Sequence, residues 1–213
     1  MTVTTVFATE PGGNGFVRSS DATYATARSG GTLLASGNHS IGQEFNTGAA
    51  VYRCLESFVI FDTSGIADTD TVSAVVLSLD GSSDGSTQDF TVVASASSYD
   101  GGAVATTDYV AGASLAGLTE YATWSTAGYS ADYNAFTQSA GFPAGINKTG
   151  NTPIILFSDR HRDATAPNVD GTLETVAFID ADAAGTTTDP KLDITHAAGG
   201  GATVKPLAAL GVG

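Results

Sequence analysis

What most constrains this chain is that its apolar residues arrive in short runs, each cut off by turn residues. SFVIF (57–61), VSAVVLSL (72–79) and TPIILF (152–157) are nearly continuous apolar stretches. They have the length of central strands buried on both faces, not of buried helices. FTVVASASSY (90–99) alternates instead, with Phe90, Val92, Ala94 and Ala96 on one face and Thr91, Val93, Ser95 and Ser97 on the other. KLDIT (191–195) sets Leu192 and Ile194 against Lys191, Asp193 and Thr195 in the same way. Such alternation marks half-buried antiparallel strands. ETVAFID (174–180), VTTVFAT (3–9), GFVRS (15–19), YATARS (24–29) and YATWS (121–125) read as further strands. EPGGNG, DGSSDGS, YDGG and GNTP supply the turns between them. One short helix is expected over ADYNAFTQSA (131–140), with Ser130 as its cap, Tyr133 and Phe136 on one face, and Gly141 and Pro143 as its stop. The fold class that follows is all-β, an antiparallel sandwich or barrel.

The two ends read differently from the middle. Residues 1–20 are expected to form an N-terminal arm and residues 21–196 the sandwich. Residues 197–213 open with a glycine hinge at Gly199, Gly200 and Gly201. An apolar hook follows at Val204, Leu207, Leu210 and Val212, a pattern suited to contact with a partner chain.

Charge narrows the partners. Asp and Glu number 22 against 8 Lys and Arg, a net charge of −14. A nucleic-acid surface needs clustered basic residues to displace counterions, and anionic membranes need the same, so neither is expected. No apolar run is long enough to cross a bilayer. MTVTTVFATEPGGNG has neither a basic first segment nor an apolar second one, so no secretory signal is expected. Cys54 is the single cysteine. It reads as a buried structural thiol, with no intrachain disulfide available.

The stretch FVIFDTSGIADTDTVSAVVLSLD (58–80) resembles the signature of DNRLRE-type jelly-roll modules. In these an aromatic-rich strand ends in Phe-Asp-Thr/Leu-Ser, an arch follows, and the next strand is Ala-x-Leu-x-Leu. ATWSTAGYSADYNAFTQSAGFPAGINKTGNTPIILFSDRHRD resembles the Trp-containing strand, short helix, Gly-rich turn and return strand of that family, and AAGTTTDPKLDITH resembles its closing segment. The likeness spans roughly residues 45–196. It implies an antiparallel β-sandwich of jelly-roll type, similar to carbohydrate-binding modules and generally non-catalytic. Such modules occur in bacterial surface proteins and in bacteriophage virions. Without a signal peptide, the virion form is the one expected, made in the host cytoplasm. There it would be a capsid decoration protein or a tail or fibre subunit, bound to the major capsid or another virion protein and self-associating. The second expectation is a carbohydrate-binding module for attachment to cell-surface glycans.

Three groups of residues could bear chemistry. SDRHRD (158–163) is the densest polar cluster, and Arg160 and Arg162 are its candidates for partner contact, since guanidinium forks pair with carboxylates. Tyr121, Trp124 and Tyr129 are the candidate sugar platform. Asp80, Asp84 and Asp89, in a carbonyl-rich turn, are weak candidates for a calcium ion; no cofactor is otherwise expected. His39, His161 and His196 are scattered, without zinc spacing. No nucleophile–base or paired-acid spacing occurs, so no enzyme is expected.

Overall fold

Among the described residues every strand pairing is antiparallel, and thirteen strands join into one sheet that folds over on itself. The computed structural model describes residues 1–9, 15–36, 39–181 and 185–199. The expected hook at Val204, Leu207, Leu210 and Val212 lies outside the described residues. In chain order the elements are β1 (Thr2–Phe7), β2 (Gly15–Asp21), α1 (Tyr24–Arg28), β3 (Thr32–Ser36), β4 (His39–Asn46), β5 (Val51–Asp62) and β6 (Thr71–Asp84). Then come β7 (Thr91–Ala96), α2 (Gly112–Leu115), β8 (Glu120–Ser125), β9 (Tyr133–Ala135), β10 (Thr137–Gln138) and α3 (Phe142–Gly145). Last are β11 (Asn151–Ser158), α4 (Asp159–Arg162), β12 (Leu173–Phe178) and β13 (Lys191–Ala197). The main path runs β1-β13-β6-β12-β4-β5-β11-β7-β8-β10.

Two long strands make the fold possible. β6 pairs with β13 from Thr71 to Ser78 and with β12 from Gly81 to Asp84. It turns the corner at Gly81, where an added Cβ would stand 2.1 Å from the Ser130 carbonyl oxygen. β5 carries β2 along one edge. Its other edge is shared by β4 over Val51–Leu55 and by β11 over Ser57–Asp62. The arch between β5 and β6 is fixed locally. Asp62 accepts a hydrogen bond from the Ser64 backbone N–H at 3.0 Å, and Ile66 plugs the core with 1% of its surface exposed.

Successive residues of β5 and β11 serve two cores. Val59, Phe61, Ile154 and Leu156 join Leu77, Leu79, Leu192 and Ile194 in the core enclosed by the sheet. Phe58, Ile155 and Phe157 join Val17, Val93 and Leu115 in a second core, to which Leu33, Val104 and Tyr109 add their partly buried side chains. This is why these runs lack polar alternation. It also corrects the reading of residues 90–99: Val93 and Ser95, expected on the polar face, are buried as fully as Val92 and Ala94.

Three further expectations change. Residues 1–9 and 15–20, the described parts of the expected arm at 1–20, do not stand apart, because β1 pairs with β13 over six positions and β2 pairs with β5. YATARS is α1, not a strand. Thr23 caps it by accepting from the Thr26 N–H, and Asp21 accepts from the Thr23 N–H at 2.9 Å; these local bonds start a helix where alternation suggested a strand. The helix expected over 131–140 is replaced by β9 and β10. Asn134 spends its amide on the carbonyls of Ser130, Asp132 and Leu79, and Phe136 N–H donates to Leu77 O. Side-chain bonds of this kind compete with helix for the backbone.

The corner at Gly81 gives a sharp test. Gly81→Ala should destabilise the chain by about 2–4 kcal/mol, because backbone must move to admit the methyl group. Gly65→Ala, in the arch, meets nothing within 4 Å and should change stability by less than about 0.5 kcal/mol. Urea unfolding of both variants checks the contrast.

Candidate functional site

The polar residues with the most chemistry converge behind β5, on its second-core side. Ser19, Cys54, Gln43 and Glu174 are direct cross-strand neighbours on β2, β5, β4 and β12, and none exposes any surface. Glu56 and His161 are equally buried beside them. The sequence SDRHRD provides the cover. Ser158 caps α4, and Asp159 Oδ1 accepts from the Thr91 N–H at 3.1 Å, tying the turn to β7. Arg160 Nε lies 2.9 Å from Glu174 Oε2. Gln43 donates to the same Glu174 oxygen at 2.5 Å and accepts from the Tyr24 hydroxyl. Arg162 turns outward to Asp163 at 2.7 Å and Glu120 at 3.6 Å.

From the α1 side, the Arg28 guanidinium donates to the carbonyls of His161, at 2.7 Å, and Arg162, at 2.9 Å. Gly112 makes room for it. A Cβ there would stand 2.9 Å from Arg28 Nε and Nη2 and from His161 Nε2.

Protonation follows from burial. Burial holds the Glu56 carboxyl well above the usual carboxylate range, against the pull of its hydrogen bond from the Val110 N–H. Burial, helped by the Arg28 charge, pushes the His161 imidazole down to about 3. Burial thus favours the protonated form of Glu56 and keeps His161 neutral near pH 6. One arrangement of protons then suits every neighbour. Val110 N–H donates to Glu56 Oε2 at 2.8 Å, and the Tyr109 hydroxyl donates to Ala27 O at 3.0 Å. His161 Nε2–H points to the Tyr109 oxygen at 3.3 Å. Its bare Nδ1 then faces the protonated Glu56 Oε1 across 3.7 Å. Burial also raises the Cys54 thiol, with Glu56 second, so it stays protonated and inert at neutral pH. Glu174 is raised by burial, opposed by Gln43 and Arg160.

The other expected site residues fall elsewhere. Tyr121 is buried and stacked on Phe142 at 4.8 Å. Trp124 packs edge-on to Phe178 at 5.5 Å, and Tyr129 packs partly buried on the same core. All three rings thus contribute to packing, with Trp124 and Tyr129 only partly buried. Asp80, Asp84 and Asp89 do not converge. Asp80 is buried, its carboxyl raised by burial and by Asp132. Asp84 accepts from Ser86, and Asp89 from Thr126. Among the described residues no group of three His, Cys, Asp or Glu is placed to hold a metal ion.

His39 is buried and neutral, lowered to about 4 by burial. His196 closes the end of the sandwich, with Nδ1 2.6 Å from Asp70 Oδ2 and Nε2 2.9 Å from Thr4 Oγ1. That connectivity is the order of a hydroxyl, base and acid. Here it ties β1, β13 and the arch before β6 to one another, beside Val6, which packs on the core. No helix among the described residues is long and apolar enough to cross a membrane. No protein-family model matches the chain, and no curated protein matches it.

The Glu56–His161 pair holds one proton when folded. Unfolded, it holds two below the ordinary Glu value of 4.5 and none above the ordinary His value of 6.5. The raised Glu56 contribution is complete below 4.5 and is lost as pH rises. The depressed His161 contribution is complete above 6.5 and is lost as pH falls. The two contributions oppose each other, so stability falls toward acid as the His161 contribution is lost and toward alkali as the Glu56 contribution is lost. Glu56→Gln should remove the alkaline fall and keep the acid one. Denaturant midpoints from pH 4 to about 9 would show it.

Proposed function

We propose that this chain is a non-catalytic structural protein of a bacteriophage virion, a capsid decoration protein or a tail or fibre subunit. Its sandwich is of jelly-roll type, and its partners are the major capsid protein or another virion protein and further copies of itself. The observation that carries this reading is the fate of SDRHRD. The segment that looked most chemical is spent on holding layers together, through Arg160 on Glu174 and His161 beside Glu56. A protein whose dense polar residues brace its own fold is suited to binding and endurance. The resemblance of residues 45–196 to DNRLRE-type modules and the net charge of −14 support the same reading. Glycan attachment is the weaker alternative, since Tyr121, Trp124 and Tyr129 pack against the core.

The chain leaves the sheet at Ala197, the end of β13, and Gly199 lies against the Thr69 carbonyl. Residues 202–213 follow from that end, and in this reading they clamp a neighbour. Deleting them should leave the melting temperature unchanged and reduce incorporation into particles. Equal incorporation of truncated and full-length chains would sink the clamp. Turnover of a glycan or ester substrate, abolished by one point substitution, would sink the non-catalytic reading.

A further inference from the structure

A cleft crosses the face of the sheet where β2, β5, β4, β12 and β6 lie side by side. It holds a cavity of about 210 Å³ with Arg18 at the β2 end and the buried side chains of Leu55 and Val176 in its wall. Ser40, Ser83 and Thr175 bring hydroxyls to it. We infer that this cavity binds a small carboxylate, held by the Arg18 guanidinium and these hydroxyls. The inference is independent of the virion reading.

The first observation is that Arg18 is uncommitted. Arg28 and Lys148 donate to backbone carbonyls. Arg53, Arg160 and Arg162 pair with carboxylates, and Lys191 lies 4.4 Å above the Tyr133 ring. Alone among the described Lys and Arg residues, Arg18 has no hydrogen bond, ion pair or ring contact. Its side chain is half-buried, and of its nitrogens only Nε is closed off. The two terminal nitrogens stay open, and their planar fork can meet a carboxylate in two parallel bonds.

The hydroxyls are free as well. The side chains of Ser40, Ser83 and Thr175 bond to no other described residue; Ser83 is exposed and the other two are half-buried. Gly85 leaves Thr175 uncovered, because a Cβ there would stand 2.9 Å from Thr175 Oγ1.

Charge selects the guest. Glu44 also lines the cavity, but Arg53 Nη1 donates to its Oε1 at 2.7 Å. Arg18, Arg53 and Glu44 together carry one net positive charge, which a monocarboxylate cancels and a sulfate or phosphate dianion overshoots. The negative charge on the rest of the chain acts weakly here, since salt screens exposed charges beyond about 8 Å. Past Ser40, Ser83 and Ala177 the cleft continues into a second cavity of about 390 Å³, where Asp180 is the charged wall residue and His39 is neutral. A carboxylate is thus drawn to the Arg18 end. The volume there lies below the usual range of ligand sites, which limits the guest to a few heavy atoms.

The test is a titration of the full chain, labelled with ¹⁵N, with sodium lactate. Lactamide serves as the neutral isostere, with sodium sulfate and sodium chloride at matched ionic strength. Saturable shifts centred on residues 18, 40, 83–85 and 175–177 are expected, with lactate at least about tenfold tighter than lactamide or sulfate. Arg18→Gln should weaken lactate at least about tenfold and leave the melting temperature within about 2 °C, since Arg18 bonds to nothing in the fold. Ser83→Trp, closing the cavity from the β6 side, should abolish binding. Lactamide or sulfate binding as tightly as lactate would overturn the proposal. So would shifts that sodium chloride reproduces, an absence of saturable shifts, or undiminished lactate binding in either variant.

Discussion

A protonated carboxyl and a neutral imidazole, Glu56 and His161, face each other in a space from which water is excluded, and the layers around β5 are arranged to keep it so. Leaving either group charged and alone there would cost several kcal/mol. Neutrality removes most of that cost, and hydrogen bonds from Val110 and to Tyr109 remove more. The cover must therefore be complete. α1 brings Arg28, the segment before α2 brings Tyr109 and Val110, and α4 brings His161 itself. Each of these short helices would be unstable alone. They persist because they cap a polar surface that the sheet cannot leave half-covered.

This second layer separates the chain from a simple two-faced sandwich. In a sheet with one wet face, β5 and β11 would alternate apolar with polar residues. Here both faces are dry, and the same strands feed the enclosed core through Val59 and Ile154 and the outer one through Phe58 and Ile155. Loss of packing in either core would loosen the other through the shared backbone. The end of the sandwich is closed by polar bonds instead. His196 joins Asp70 and Thr4 where β1, β13 and the arch before β6 meet.

Much of the fold was legible in the sequence, for reasons that differ by element. β5, β6 and β11 were plain because continuous apolar runs bounded by Asp and Gly admit few alternatives. α1 was missed because its five residues contain no helical period, and only the Asp21–Thr23 capping bonds reveal it. The helix read at 131–140 failed because Asn134 binds backbone three ways, a tertiary fact with no periodic signature. The candidate site was half legible. SDRHRD stood out, but nothing in its spacing says which residues face inward. The missed signal was Glu56: a lone acid inside CLESFVIF, a run that otherwise reads as core, must find a partner or a proton. Tyr109, Arg28 and Gly112 carried no comparable mark, because their roles depend on loops meeting across long sequence separations.

The measurement that bears most directly on this account is the titration of His161 by long-range ¹H–¹⁵N NMR of the imidazole. The account predicts a neutral ring with its proton on Nε2, unchanged from pH 8 down to about pH 4. A His161 ring that charges near its ordinary value of 6.5, or carries its proton on Nδ1, would contradict the buried neutral pair on which the cover over β5 depends.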